Sequence, residues 1–174
     1  PILGHVIHNK YKTSTVVRDN PMSLIAESFR SLRTNFQFIA NESEKNVVLI
    51  TSVITGEGKS FTAVNLGTVF AQNQKKVVVI DFDLRKSKIK QYLGIETNEG
   101  LSMFLSNHAD LDNIIYPSGI ENLDIIPSGT VPPNPTELIS SARTSELFSL
   151  LKRTYDMIFI DSPPIGLVSD ALLL

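Results

Sequence analysis

The sequence predicts an α/β protein, a mostly parallel β-sheet flanked by helices. Three features carry that prediction. Short apolar, β-branched runs alternate with helical segments, as strands joined by crossover helices require. One run passes through a glycine-bearing loop into a helix-compatible stretch. Carboxylates stand at the downstream ends of two later runs, where open parallel sheets bind ligands.

Residues 1–20 carry little pattern and read as a linker with at most one short strand. Asn20-Pro21 reads as a helix N-cap followed by proline at the first helical position. From there Ile25, Phe29, Leu32, Phe36 and Ile39 recur at spacings of four and three, one apolar stripe on a helix. Glu27, Arg30 and Arg33 fall off that stripe. Val47–Thr51 predicts a first buried strand, Phe61–Gln72 a helix, and Lys76–Asp81 a second buried strand. A short helix is expected over Gly100–Ser106 and a third strand over Leu123–Pro127. Gly129–Pro135, with its prolines, reads as a loop. Glu137–Ser141 and Ser145–Tyr155 read as helical, with Leu147, Leu150 and Leu151 inward. Met157–Ile160 predicts a fourth strand, ending in Asp161.

Between the first strand and its helix runs Thr51-Ser52-Val53-Ile54-Thr55-Gly56-Glu57-Gly58-Lys59-Ser60. This is how a phosphate-binding loop is built. Backbone N–H groups wrap a phosphate at a helix N-terminus, where the helix dipole also favours anions. Lys59 is placed to reach the β- and γ-phosphates, and the Ser60 hydroxyl to ligate Mg²⁺. Gly56 and Gly58 let the backbone approach closely. The usual glycine five residues before the last one is Val53 here.

Asp161, at the end of an apolar strand, fits the carboxylate that organises a Mg²⁺ shell in such proteins. Asp81 and Asp83 can reach one site only if their strand has already ended. There they could orient a metal or accept a proton. Loop capping is the ordinary alternative role for each aspartate. Arg85 could neutralise phosphate charge or lie solvated. Lys86, Lys88 and Lys90 read as a solvated face, and Tyr11, Tyr92, Tyr116 and Tyr155 as structural. His5, His8 and His108 show no ligand spacing.

Bulk composition narrows the choice. With 174 residues, 42% hydrophobic and 20% charged, the chain suits one soluble domain. Its net charge of −2 argues against a general nucleic-acid binder. Cysteine is absent, which excludes disulfides and thiolate metal sites. No apolar run approaches the ~20 residues of a membrane helix, and no secretory signal is visible. The chain opens at Pro1 rather than Met and reads as part of a longer protein.

Together these motifs resemble the bacterial tyrosine kinases, the cytoplasmic kinase domains tied to capsule and exopolysaccharide export. Residues 51–60 are similar to their Walker A motif, with Thr55 where proline usually stands. Val78–Arg85 resembles their Walker A′ and Ile158–Pro164 their Walker B. Glu27-x-x-Arg30-x-x-Arg33 resembles their oligomerisation motif. Leu123–Gly129 and Pro132–Leu138 are also similar to that family, and the likeness covers residues 20–174.

The resemblance implies a P-loop NTPase-like fold of the MinD/ParA kind and an autophosphorylating protein-tyrosine kinase using ATP and Mg²⁺. It assigns catalysis to Lys59, Asp81 and Asp83. Nucleotide binding falls to Thr55, Gly56, Glu57, Gly58, Lys59, Ser60, Phe61 and Arg85, and metal binding to Ser60, Asp81 and Asp161. Glu27, Arg30 and Arg33 would join a ring-like homo-oligomer; an ion pair on the helix surface is their plain alternative. The implied partners are a membrane adaptor region in the same full-length chain, preceding the 1–20 linker, a cognate tyrosine phosphatase and protein substrates, with no nucleic acid. The implied location is the cytoplasmic face of the inner membrane. The kinase domain would be residues 21–174, cut short before further strands, helices and a tyrosine-rich tail. Two other functions stay open: a ParA/MinD-type ATPase, against which Ile54 counts because those proteins carry a second lysine there, and a nucleotide-gated scaffold for polysaccharide export without turnover.

Overall fold

The computed structural model describes residues 2–40 and 46–166; the last predicted residues of the domain, 167–174, lie outside them. Strands β1 (Asn46–Ile50), β2 (Val77–Asp81), β3 (Tyr116–Ile120), β4 (Leu123–Ile126) and β5 (Met157–Asp161) form one sheet in the order β1-β5-β2-β4-β3. The first four in that order run parallel, and β3 closes the far edge antiparallel to β4. The α/β prediction holds. β2 and β5 are central and buried along their whole length, which is why both read as unbroken apolar runs. β1 is an edge among the described residues, and Val47 and Leu49 are each 39% exposed, so it is not the fully buried strand expected.

Side-chain alternation divides the core. Val77, Val79, Met157 and Phe159 face α2 (Leu24–Ile39) and α3 (Lys59–Ala71) on one side of the sheet. Val78, Ile80, Ile158 and Ile160 face α5 (Leu101–Leu105), α6 (Pro135–Ile139) and α7 (Ala142–Thr154) on the other. Helix α3 lies so close to β2 that a Cβ on Gly67 would come within 2.8 Å of Val79 Cγ2. Phe70 joins Phe36 edge-on at 5.7 Å and Phe159 at 5.5 Å. Fully buried Asn65 ties the N-terminal segment to α3: its Oδ1 accepts from Val17 N–H (3.0 Å) and its Nδ2 donates to Ser14 O (2.8 Å).

Several local readings are corrected. Residues 1–20 hold a helical turn, α1 (Val16–Asp19), rather than a strand. The cap of α2 is Ser23, whose hydroxyl accepts from Ala26 N–H; Asn20 instead ends α1. Ile39, last on the apolar stripe, is 73% exposed because the helix ends there. Pro135 opens α6 instead of closing the loop before it. Both α4 (Ile89–Leu93) and the β3 edge went unpredicted. Tyr155 is structural as expected: it is buried and donates to Asp124 Oδ2 at 2.8 Å. No helix among the described residues is long and apolar enough to cross a membrane.

Phe159→Ala is expected to cost about 3–5 kcal/mol of unfolding free energy, seen as a lower urea midpoint at unchanged slope. A loss under about 1 kcal/mol would contradict the packing of this layer.

Candidate phosphate-binding and catalytic site

Three strands end together. Their register pairs Ile50 with Asp161 across β1 and β5, and Asp81 with Asp161 across β2 and β5. The loop leaving β1 therefore starts beside Asp161, with Asp81 one strand further along the sheet. Gly56 and Gly58 take φ values of 87° and 91°, left-handed conformations that suit glycine. Gly58 caps α3, so Lys59 and Ser60 open the helix. The first amides of α3, through Phe61, have no preceding carbonyl within the helix and are available to an anion.

The loop's outer arm is held from two directions. Glu57 folds back so that one carboxylate oxygen accepts from Val53 N–H (2.9 Å) and Ile54 N–H (3.2 Å). The segment after β5 bonds the same arm, with Ile165 N–H donating to Ser52 O at 2.9 Å and Gly166 N–H to Val53 O at 3.2 Å.

A cavity of about 320 Å³ lies over the loop. Thr55, Gly56, Gly58, Lys59 and Ser60 form one wall; Asp83, Lys86, Lys88 and Tyr92 contribute from the chain after β2, and Pro164 from the chain after β5. Of the residues assigned to nucleotide binding, Phe61, Glu57 and Arg85 do not line it. The Phe61 ring packs on Phe29 (5.8 Å), which leaves its backbone amide as the group that can meet a ligand. Arg85 reaches Thr136 Oγ1 on α6 at 3.1 Å. Sequence reading missed Lys86, Lys88 and Tyr92, taken there as solvated or structural. Their one signal was position, within eleven residues of Asp81.

Behind the cavity the acids differ sharply. Asp81 is fully buried, accepting from Ser87 Oγ (2.6 Å) and Asp83 N–H (3.1 Å). Burial, then the neighbouring Asp161 charge, pushes its pKa up to about 8 against the opposing Ser87 bond. Asp161 is pushed up to about 6, chiefly by burial, while nearby Ser60 and Lys59 favour its charged form. Its Oδ1 is buried with no hydrogen-bond partner among the described residues. Asp83 is only partly buried, and its Oδ1 accepts from Arg85 N–H (3.2 Å) and Lys86 N–H (2.9 Å). Among the described residues no group of three or more His, Asp or Glu could by itself hold a metal. Carboxylates plus a serine hydroxyl suit Mg²⁺, which takes one or two carboxylates and completes its shell with phosphate oxygens and water. The orphaned Asp161 oxygen beside Ser60 fits that need.

On α2, Arg30 pairs with Glu27 at 2.9 Å and also donates to Pro21 O at 2.6 Å. Arg33 turns inward to Val69 O on α3 at 3.0 Å.

The AAA domain family model matches residues 45–173. The tyrosine-protein kinase YwqD of Bacillus subtilis is 39% identical over 166 residues, covering 95% of this chain and 70% of that protein. The chain belongs to the bacterial tyrosine-protein kinase family. Another member, the tyrosine-protein kinase Wzc of Salmonella typhi, is 39% identical over 94% of this chain, yet the chain spans only 23% of its length. The kinase domain of the Escherichia coli tyrosine kinase ETK superposes with a TM-score of 0.88 at 34% identity, covering 96% of this chain and 66% of that one. MinD of Pyrococcus horikoshii, complexed with Mg-ADP, superposes at 0.63 with 29% identity, covering 74% and 52%. The fold of this family member is thus P-loop NTPase-like, shared with MinD.

The raised acids set a pH dependence. Folded Asp81 and Asp161 hold protons that unfolded carboxylates lose near pH 4. The native state therefore binds more protons between about pH 4 and 8, and stability falls as pH rises through that window. The lowered Asp19, at about 2, acts below it. Without metal or nucleotide, the melting temperature is expected to drop from pH 5 to 8, and Asp81→Asn to flatten the slope. A slope of opposite sign, or one untouched by Asp81→Asn, would refute the buried-acid assignment.

Proposed function

We propose that residues 21–174 are the catalytic domain of an autophosphorylating protein-tyrosine kinase that uses Mg-ATP and regulates capsular or exopolysaccharide synthesis and export. The observation that carries this reading is Asp83 lining the same cavity as Lys59 and Ser60. It sets a potential proton acceptor beside a phosphate cradle. In this reading the loop amides and Lys59 hold the phosphates, and Ser60, Asp161 and Asp81 hold the metal. Bound Mg²⁺ supplies positive charge that offsets the negative charge of the transferring phosphoryl group. Asp83 orients the tyrosine hydroxyl and takes its proton; Oδ1 is occupied by backbone amides, which leaves Oδ2 for that task. Family membership supports the same activity.

The partners follow the same reading: protein substrates, a cognate tyrosine phosphatase, further copies of the chain in a ring, and a membrane adaptor region joined through residues 1–20 at the cytoplasmic face of the bacterial inner membrane. The outer face of α2 supports self-association, since Glu27 is exposed beside Arg30 and Leu24 is 77% exposed. A ParA/MinD-type ATPase is the second reading. The MinD likeness favours it, and Ile54, at the position of the extra lysine, disfavours it.

Full-length protein given Mg-ATP is expected to yield phosphotyrosine on immunoblots. Lys59→Met should abolish the signal, and Asp83→Asn should cut it by about 100-fold or more while ATP still binds. Phosphate release without phosphotyrosine would establish the ATPase instead, and binding with neither product a scaffold.

Self-association has its own check. Because Arg33 also holds Val69 O and Arg30 holds Pro21 O in the same chain, the cleaner variant is the exposed Glu27→Ala. Its mass by light scattering is expected to fall toward that of one chain, and an unchanged mass would remove α2 from the interface.

A further inference from the structure

The phosphate loop accounts for one ammonium group in the cavity, Lys59. Two more lysines line it, Lys86 and Lys88. Neither side chain has a hydrogen-bond or ion-pair partner among the described residues. Lys90, two residues on, donates to Thr97 O instead and does not line this cavity.

The backbone beneath the pair is pinned. Leu84 and Ile89, on either side, are 2% and 0% exposed. Lys86 N–H is bonded to Asp83 Oδ1, and Ser87 between the two lysines turns inward to Asp81 Oδ2. The pair is thus carried on an anchored turn.

Three lysines therefore line about 320 Å³, against one lining carboxylate, Asp83, with Asp161 behind the wall attracting Lys59 and Lys88. Three positive charges around one cavity exceed the carboxylates beside them, and an anion of several charges between them relieves the remaining repulsion. A loop of this type cradles the inner phosphates with its amides, and Lys59 reaches the β- and γ-phosphates from the loop side alone. The second wall is left for the outermost one.

We propose that Lys86 and Lys88 form a terminal-phosphate clamp, binding the γ-phosphate of a nucleoside triphosphate across from the loop and giving this site its preference for triphosphate over diphosphate. The inference rests on the phosphate-loop reading of residues 53–60.

Calorimetry tests it without turnover. The protein is titrated with Mg-ADP and with a non-hydrolysable β,γ-methylene analogue of Mg-ATP, as wild type, Lys86→Met, Lys88→Met and the double variant. Loss of charged contacts to phosphate is expected to weaken the triphosphate analogue by about tenfold or more in the double variant. Affinity for Mg-ADP should stay within about twofold. Lys88→Arg, which keeps the charge, should restore the preference to the single-variant background. Equal weakening of both nucleotides overturns the clamp. So does wild-type affinity for both, the outcome expected if the lysines instead meet acidic side chains of a protein substrate. Wild-type protein that binds neither nucleotide would refute the loop reading itself.

Discussion

The site depends on one strand register. Asp161 stands level with Ile50 on one side and Asp81 on the other. That single alignment sets the root of the phosphate loop, the metal-type carboxylate and the buried Asp81 at one height on the sheet edge. Side chains alternate along a strand, so a slip of one residue in β5 would swap Phe159 and Ile160 between the two cores and turn Asp161 to the opposite face. The apolar layers on both sides forbid that slip. Packing far from the cavity thereby fixes geometry within it.

Two neighbouring buried carboxylates are a poor choice for stability alone. Desolvation favours the protonated form of both, and a neighbouring carboxylate adds to it, Asp161 at Asp81 and Asp83 at Asp161. A divalent cation reverses that preference, since it makes the charged forms favourable. The same residues that weaken the ligand-free fold are then the ones prepared for metal and phosphate. Such local conflict with folding is expected where function, rather than packing, selects the residue.

Much of this was legible in sequence because its causes are local. An unbroken apolar run signals a strand buried on both faces, as in β2 and β5. Gly56 and Gly58 mark a backbone that must turn sharply, and the positive φ angles bear that out. What stayed hidden depended on contacts distant in sequence. β3 contains Pro117 and Gly119, poor strand residues, and exists because β4 offers it an edge. Lys86 and Lys88 look like any basic surface pair until the turn after β2 folds over the loop. The cap at Ser23 lost to the nearer Asn20-Pro21 signal because Asn20 was already committed to ending α1, a helix too short to read.

Val53, where a phosphate loop ordinarily has glycine, shows how a motif can depart from pattern and keep its shape. The Glu57 carboxylate gathers the Val53 and Ile54 amides from within the loop, while Gly166 secures the Val53 carbonyl from the chain after β5. Both hydrogen-bonding directions of that residue are thus used, so the backbone is fixed without glycine's freedom. Val53 and Ile54 remain 63% and 60% exposed, an apolar arm that does not line the cavity. The Glu57 brace holds this turn with isoleucine at position 54. The additional cations at the cavity come from Lys86 and Lys88.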